Sequence, residues 1–116
     1  MNKLPNPITD ALDDYAIAAA KCADLREAEQ QIEDERPLAK HEAIGRIMQF
    51  TNPLTQKPHS SSSAEAIVES DPDYMAYLVK RRNATHAHML AQSEREEARL
   101  KAVAFANISA QLVEAA

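Results

Sequence analysis

The stretch PDYMAYLVKRRNATHAHMLAQSEREEARLKAVAFANISAQLVE, residues 72–114, contains no glycine and no proline after its first residue. Pro72 is tolerated at a first helical position, where the N–H it lacks would have no partner, and Asp71 before it suits an N-cap. Tyr74, Tyr77, Leu78, Ala84, Ala87, Leu90, Ala91, Ala98, Ala102, Phe105, Ile108 and Leu112 recur at loose helical spacing. The stretch predicts one helix over 72–114, roughly 60 Å long at 1.5 Å per residue. Such a helix outruns any compact core a chain of 116 residues can build, so it requires another helix alongside it.

Working back towards the start, Ser62 followed by Glu65 fits a capping box, and predicts a short helix over 64–70 carrying Ile67 and Val68. Residues 52–63, NPLTQKPHSSSS, form a polar connector with two prolines. Residues 9–51 supply the second long helix. Pro5 and Pro7 hold the first residues extended, Thr9 or Asp10 caps, and Asp13 and Asp14 fall where the helix dipole favours acids. Ile8, Leu12, Tyr15, Ala19, Cys22, Leu25, Ala28 and Ile32 follow at coiled-coil spacing. Pro37 either kinks this helix or breaks it briefly, and the stripe resumes with Leu38, Ala43, Ile44, Ile47, Met48 and Phe50.

The expected fold class is all-α, a single domain over 1–116. Its two long helices form an antiparallel coiled-coil-like hairpin with the connector and short helix between them. The seam runs through Leu12, Tyr15, Cys22, Leu25, Ile32, Ile44 and Ile47 on one side. Tyr74, Leu78, Leu90, Phe105, Ile108 and Leu112 supply the other.

Apolar residues make up 45% of the chain, but 22 residues are alanine and there is no tryptophan. Alanine buries a third to a half of what leucine brings at about 25 cal/mol per Å². A small chain with an alanine-rich seam is marginal as a monomer, and a homo-oligomer is therefore expected. The net charge of −5 argues against simple non-specific DNA binding, which draws on excess positive charge. Residues 1–51 hold ten acids against six bases, whereas 71–116 hold six of each. The lone Cys22 gives no internal disulfide. The apolar run Tyr15 to Ala20 is far too short for a bilayer, and Met1 to Asp10 lacks a signal-peptide pattern. The expected location is the cytoplasm, with no membrane contact.

Catalytic chemistry finds no support. His86 and His88, two residues apart, point about 200° away from each other on a helix and cannot share one metal ion. His41 and His59 lack ligand spacing. Glu27, Glu29, Glu33, Asp34 and Glu35 read as a solvated helical face, as do Glu94, Glu96 and Glu97 with Arg95, Arg99 and Lys101. One glycine, Gly45, excludes a glycine-rich phosphate loop. The expectation is a protein that is not an enzyme, with no metal, cofactor or catalytic residue. Serines 60–63 read as a flexible linker, as hydroxyls that with Lys57 meet phosphates, or as part of an ordered loop restricted by Pro53, Pro58 and the capping serines.

Lys80, Arg81 and Arg82 are the one concentrated basic cluster. Three successive helical residues span about 200° of circumference, so they cannot all face one partner. They pair with the acidic first half of the chain, or meet the phosphates of single-stranded nucleic acid, a weak contact that an oligomer multiplies.

Two further stretches carry a family resemblance. Residues 43–50, AIGRIMQF, are similar to a basic-then-aromatic segment that ends the first long helix of phage recombination mediators. Those proteins load a RecA-like recombinase onto single-stranded DNA. Residues 63–73, SAEAIVESDPD, resemble the short segment leading into that family's second helix. The order helix, polar connector, short helix, long helix agrees over about residues 12–113. The resemblance implies a phage-encoded protein acting in an infected bacterial host, oligomeric as a ring or bundle, with single-stranded DNA contacts from Arg46 and neighbouring bases. Gly45 stands where the family carries further basic character, and this chain is more acidic. The expected function is thus an accessory role in phage-type DNA recombination or replication. Arg46, Lys57, Lys80, Arg81 and Arg82 would contact DNA, and a recombinase or other replication protein would be the partner. The alternative is a protein-interaction module, a phage inhibitor or structural adaptor, that uses its acidic helical face without DNA.

Overall fold

The computed structural model describes residues 7–115, with side chains through position 112. The described elements are helix α1 (Pro7–Asp34), α2 (Arg36–Ile47), strands β1 (Thr51–Asn52) and β2 (Lys57–Pro58), α3 (Ser61–Ala66), a 3-10 turn (Val68–Ser70) and α4 (Pro72–Ala115). The protein is all-α apart from the two short strands. No helix among the described residues is long and apolar enough to cross a membrane.

Helix α1 starts at Pro7, not after a cap at Thr9 or Asp10, because proline suits a first turn. The extended start expected at Pro5 lies outside the described residues. At the other end α1 and α2 are divided at the single residue Glu35, whose backbone stays helical at φ −76° and ψ −13°, so the chain bends there without a connecting loop. A helix continuous through Pro37 would leave the Glu33 carbonyl without its N–H donor and in collision with the proline ring. The helix therefore closes at Asp34, with the Glu35 N–H donating to the Gln31 and Ile32 carbonyls at 3.3 and 3.2 Å. Pro37 then falls in the first turn of α2. That helix ends at Ile47, short of the expected 51, in two tightened turns from Gln49 to Arg46 and from Phe50 to Ile47.

The connector is structured. Strands β1 and β2 pair antiparallel, Thr51 with Pro58 and Asn52 with Lys57. Asn52 shapes the loop between them. Its Oδ1 accepts the Leu54 N–H at 3.0 Å and its carbonyl accepts the Gln56 N–H at 2.8 Å. The His59 N–H donates to the Phe50 carbonyl at 3.1 Å, which leaves Ser60 extended as the N-cap of α3, with its Oγ accepting the Ser63 N–H at 3.1 Å. The expected Ser62–Glu65 capping box is not used; Ser62 lies inside α3 and Glu65 pairs with Lys40 at 2.9 Å. The short helix of 64–70 is thus α3 plus a 3-10 turn.

The chain divides into two compact units, 28–85 and the pairing of residues up to 27 with those from 86 onwards. In the 28–85 unit the core is Ala43, Val68, Tyr74 and Tyr77, with Ile32, Ala39, Ile44 and Leu78 against it. Tyr74 and Tyr77 stack with ring centroids 6.1 Å apart. In the other unit the buried residues are Ala11 and Cys22 of α1 and Ala91 and Ala102 of α4. Lys21 pairs with Glu94 at 3.2 Å, while Pro7 and Ile8 share an apolar cleft with Phe105, Ile108 and Leu112. Within this unit the two segments therefore run in opposite directions.

Candidate functional site

The basic residues that the sequence offers to nucleic acid belong to the 28–85 unit and divide by partner. Arg81 Nε donates to Glu33 and Lys80 Nζ lies 3.8 Å from Glu35. Arg36 joins them, 3.7 Å from Glu33. The Tyr77 hydroxyl donates to the Ile32 carbonyl beside them, and burial pushes the phenol up, so it stays a neutral donor. These contacts fasten α4 to the α1–α2 break. Glu33 lies in the last turn of α1 and Glu35 at its junction with α2.

Arg46 is held more firmly. Its Nε donates to Asp71 Oδ1 at 3.0 Å and its Nη2 to Oδ2 at 2.7 Å, a bidentate pair. Asp71 is 8% exposed and also caps α4, accepting the Tyr74 N–H at 2.9 Å. The Arg46 guanidinium holds the Asp71 carboxyl below the usual carboxylate range. Its planar fork is therefore occupied by an acid of its own chain, a firmer attachment than a surface lysine makes.

Lys57, in β2, and Arg82, on α4, remain exposed, and neither is held in an ion pair among the described residues. Of the five candidates, Arg46, Lys80 and Arg81 are thus engaged with acids, while Lys57 and Arg82 face solvent.

The serine run is also partly engaged. Ser60 is the cap of α3, and the Ser63 hydroxyl lies 2.5 Å from His59 Nδ1 and 3.4 Å from Asn52 Nδ2. This knot of Asn52, His59 and Ser63 ties the strand pair to α3. The sequence reading missed it, although His59 and Ser63 stand four apart, a separation that meets across the first turn of a helix. Among the described residues no group of three His, Cys, Asp or Glu side chains is placed to hold a metal ion.

The seam residues fall into three groups. Cys22, Ile47 and Tyr74 are buried. Tyr15, Leu25, Ile32, Ile44, Leu78 and Phe105 are half-buried. Leu12, Leu90, Ile108 and Leu112 are more than half exposed. The inward positions of α1 are Ile8, Ala11, Tyr15, Ala18, Ala19, Cys22 and Leu25, which keeps Ile8, Tyr15, Ala19, Cys22 and Leu25 of the expected stripe and puts Ala11 in the place of Leu12. Ala91 and Ala102, both in the expected α4 stripe, are buried, and Ala11 is buried where Leu12 was expected. The signal was present in the unbroken alternation of three and four from Ile8. The outward residues matter as much, because Leu12, Ile17, Met89, Leu90, Leu100, Ile108 and Leu112 give this helical pair an apolar exterior.

Compared with known protein families, curated proteins and solved structures, the chain matches none.

Proposed function

We propose that this chain is a non-enzymatic accessory protein that works by helix-mediated association, joining copies of itself and a partner protein. One observation carries the reading. In the unit formed by the start of α1 and the end of α4, small side chains fill the seam, while Leu12, Ile17, Leu90, Leu100, Ile108 and Leu112 stand in solvent. Large exposed apolar surface on a small protein marks a site of association. Light scattering across a concentration series tests this. A mass that climbs above 12.8 kDa towards a defined multiple is the expected outcome, and a monomer at every concentration contradicts self-association.

The resemblance to phage recombination mediators supplies a second reading, in which the assembled protein serves DNA recombination or replication and binds single-stranded DNA. What favours it is the pair of solvent-facing bases, Lys57 and Arg82. The engagement of Arg46, Lys80 and Arg81 by acids weighs towards an adaptor that does not bind DNA. A labelled single-stranded oligonucleotide decides between them. Salt-sensitive binding that Lys57→Glu and Arg82→Glu weaken supports the DNA role. No binding at micromolar protein in low salt leaves the adaptor.

A further inference from the structure

Helix α4 carries a second stripe, separate from its buried seam. The seam side holds Ala91, Ala98, Ala102 and Phe105, all buried or half-buried. A stripe on an adjoining face runs through Leu90, Glu94, Glu97, Lys101, Ala104 and Ile108, alternately four and three apart, the spacing of a helix that lies along another helix. Leu90 is 61% and Ile108 53% exposed, and Glu97, Lys101 and Ala104 are exposed too. Glu94 is turned to Lys21 of its own chain.

The order of these residues is self-complementary under reversal. Lay the stripe against a second copy running the other way, with the two-fold axis at the level of Arg99. Leu90 then meets Ile108 of the second copy, Glu94 meets Ala104, and Glu97 meets Lys101. Each contact occurs twice, as a closed isologous interface requires. Apolar contacts form at both ends and two opposite-charge pairs at the centre. Glu94 keeps Lys21 as its partner and faces an alanine methyl, so no like charges are opposed. A parallel pairing would set Glu97 against Glu97 and Lys101 against Lys101, and like charges so placed select against it.

We infer that the Leu90–Ile108 stripe of α4 is a homodimer interface, and that its occupant is the same stripe of a second copy running antiparallel. The inference rests on the association reading and specifies it. The stripe spans about 27 Å of helix, with the central ion pairs fixing register and direction while the apolar ends contribute most of the affinity.

Charge reversal tests register and occupant together. Glu97→Lys sets a second ammonium group against Lys101 of the copy, and Lys101→Glu sets two acids together; each variant alone should dimerise about tenfold more weakly or worse. Mixed in equal amounts, the two variants should recover dimer, because each then meets only opposite charge. That recovery cannot come from pairing within one helix, where both variants remain like-charged. Ile108→Gln, which leaves charge unchanged, should also weaken the dimer, and circular dichroism checks that every variant keeps its helicity. Sedimentation velocity reads the outcome. A wild-type dimer with variants unaffected, or weakened variants whose mixture stays weak, overturns this interface while leaving the association reading standing. A wild-type monomer throughout overturns this interface and self-association together, and leaves only the partner-binding half of that reading.

Discussion

Gln56 closes the strand-pair loop in the left-handed region, at φ 59°, where a side chain is strained and glycine is not. Gln56→Gly should therefore stabilise the protein by about 0.5–1 kcal/mol, allowing for the greater freedom glycine has in the unfolded chain. A rise in the urea midpoint at constant slope is the expected result, and a fall would mean that the Gln56 side chain contributes something the loop geometry does not show. Asp71 invites a pH experiment. The Arg46 guanidinium and the Tyr74 N–H lower its folded pKa relative to about 3.9 for an unfolded aspartate. Its contribution is present above about pH 4 and is lost as pH falls through the lower folded value. Asp71→Asn keeps a good helix cap but removes the charge, so it should destabilise at pH 7 and shrink the acid-dependent loss of stability. Asp71→Ala also loses the cap, about 1–2 kcal/mol more. Glu65 and Glu96 are lowered by Lys40 and Arg99, but on exposed surface where salt screens them. The Asp71 share of the acid limb should therefore persist in high salt; an acid limb that vanishes there assigns it to the surface pairs instead.

At the scale of elements, the α1–α2 break is held by hydroxyl, guanidinium and ammonium groups from α4. The Tyr77 hydroxyl reaches the Ile32 carbonyl, which also accepts the Glu35 N–H. Tyr77→Phe leaves that carbonyl one donor, so the cost should sit at about 1 kcal/mol, nearer the lower end for a buried hydrogen bond. Equilibrium unfolding measures it, and a loss above about 3 kcal/mol would mean that the hydroxyl organises the whole break. Helix content was legible in the sequence because Pro, Gly and the capping residues punctuate it directly: Asp71-Pro72 marks where α4 begins. The break at Glu35 was legible only as an alternative, since Pro37 allows a kink or a restart and the decision depends on which carbonyl loses its donor. The strand pair within residues 51–58 was not legible, because its pairing uses backbone groups and one asparagine rather than an apolar pattern. Of the candidate bases, sequence reading identified the choice facing Lys80 and Arg81, acid or phosphate, but the partner is fixed by Glu35 and Glu33 lying opposite them. Arg46 looked available because Asp71, 25 positions away, gives no local sign of its approach.

For the whole molecule, composition and burial lead to the same constraint. Among the described residues ten apolar side chains are buried, and five of them, Ala11, Ala43, Ala64, Ala91 and Ala102, are alanines. Each alanine withdraws little area from water, whereas ordering more than a hundred residues costs on the order of 1–2 kcal/mol apiece in backbone entropy. Further apolar surface stands on the outside, at Leu90, Leu100 and Ile108. On the proposed association, folding and assembly are linked, and the apparent stability should rise with protein concentration. Binding at a hundredfold excess over Kd adds about 2.7 kcal/mol, which for a chain of this size raises Tm by on the order of 10 °C. Thermal unfolding monitored by circular dichroism from low micromolar to near-millimolar protein should show that rise, and Ile108→Gln should flatten it more than it lowers Tm at the dilute end. A Tm independent of concentration would mean that the alanine seam suffices alone, and the exposed leucines would then serve a partner of different sequence.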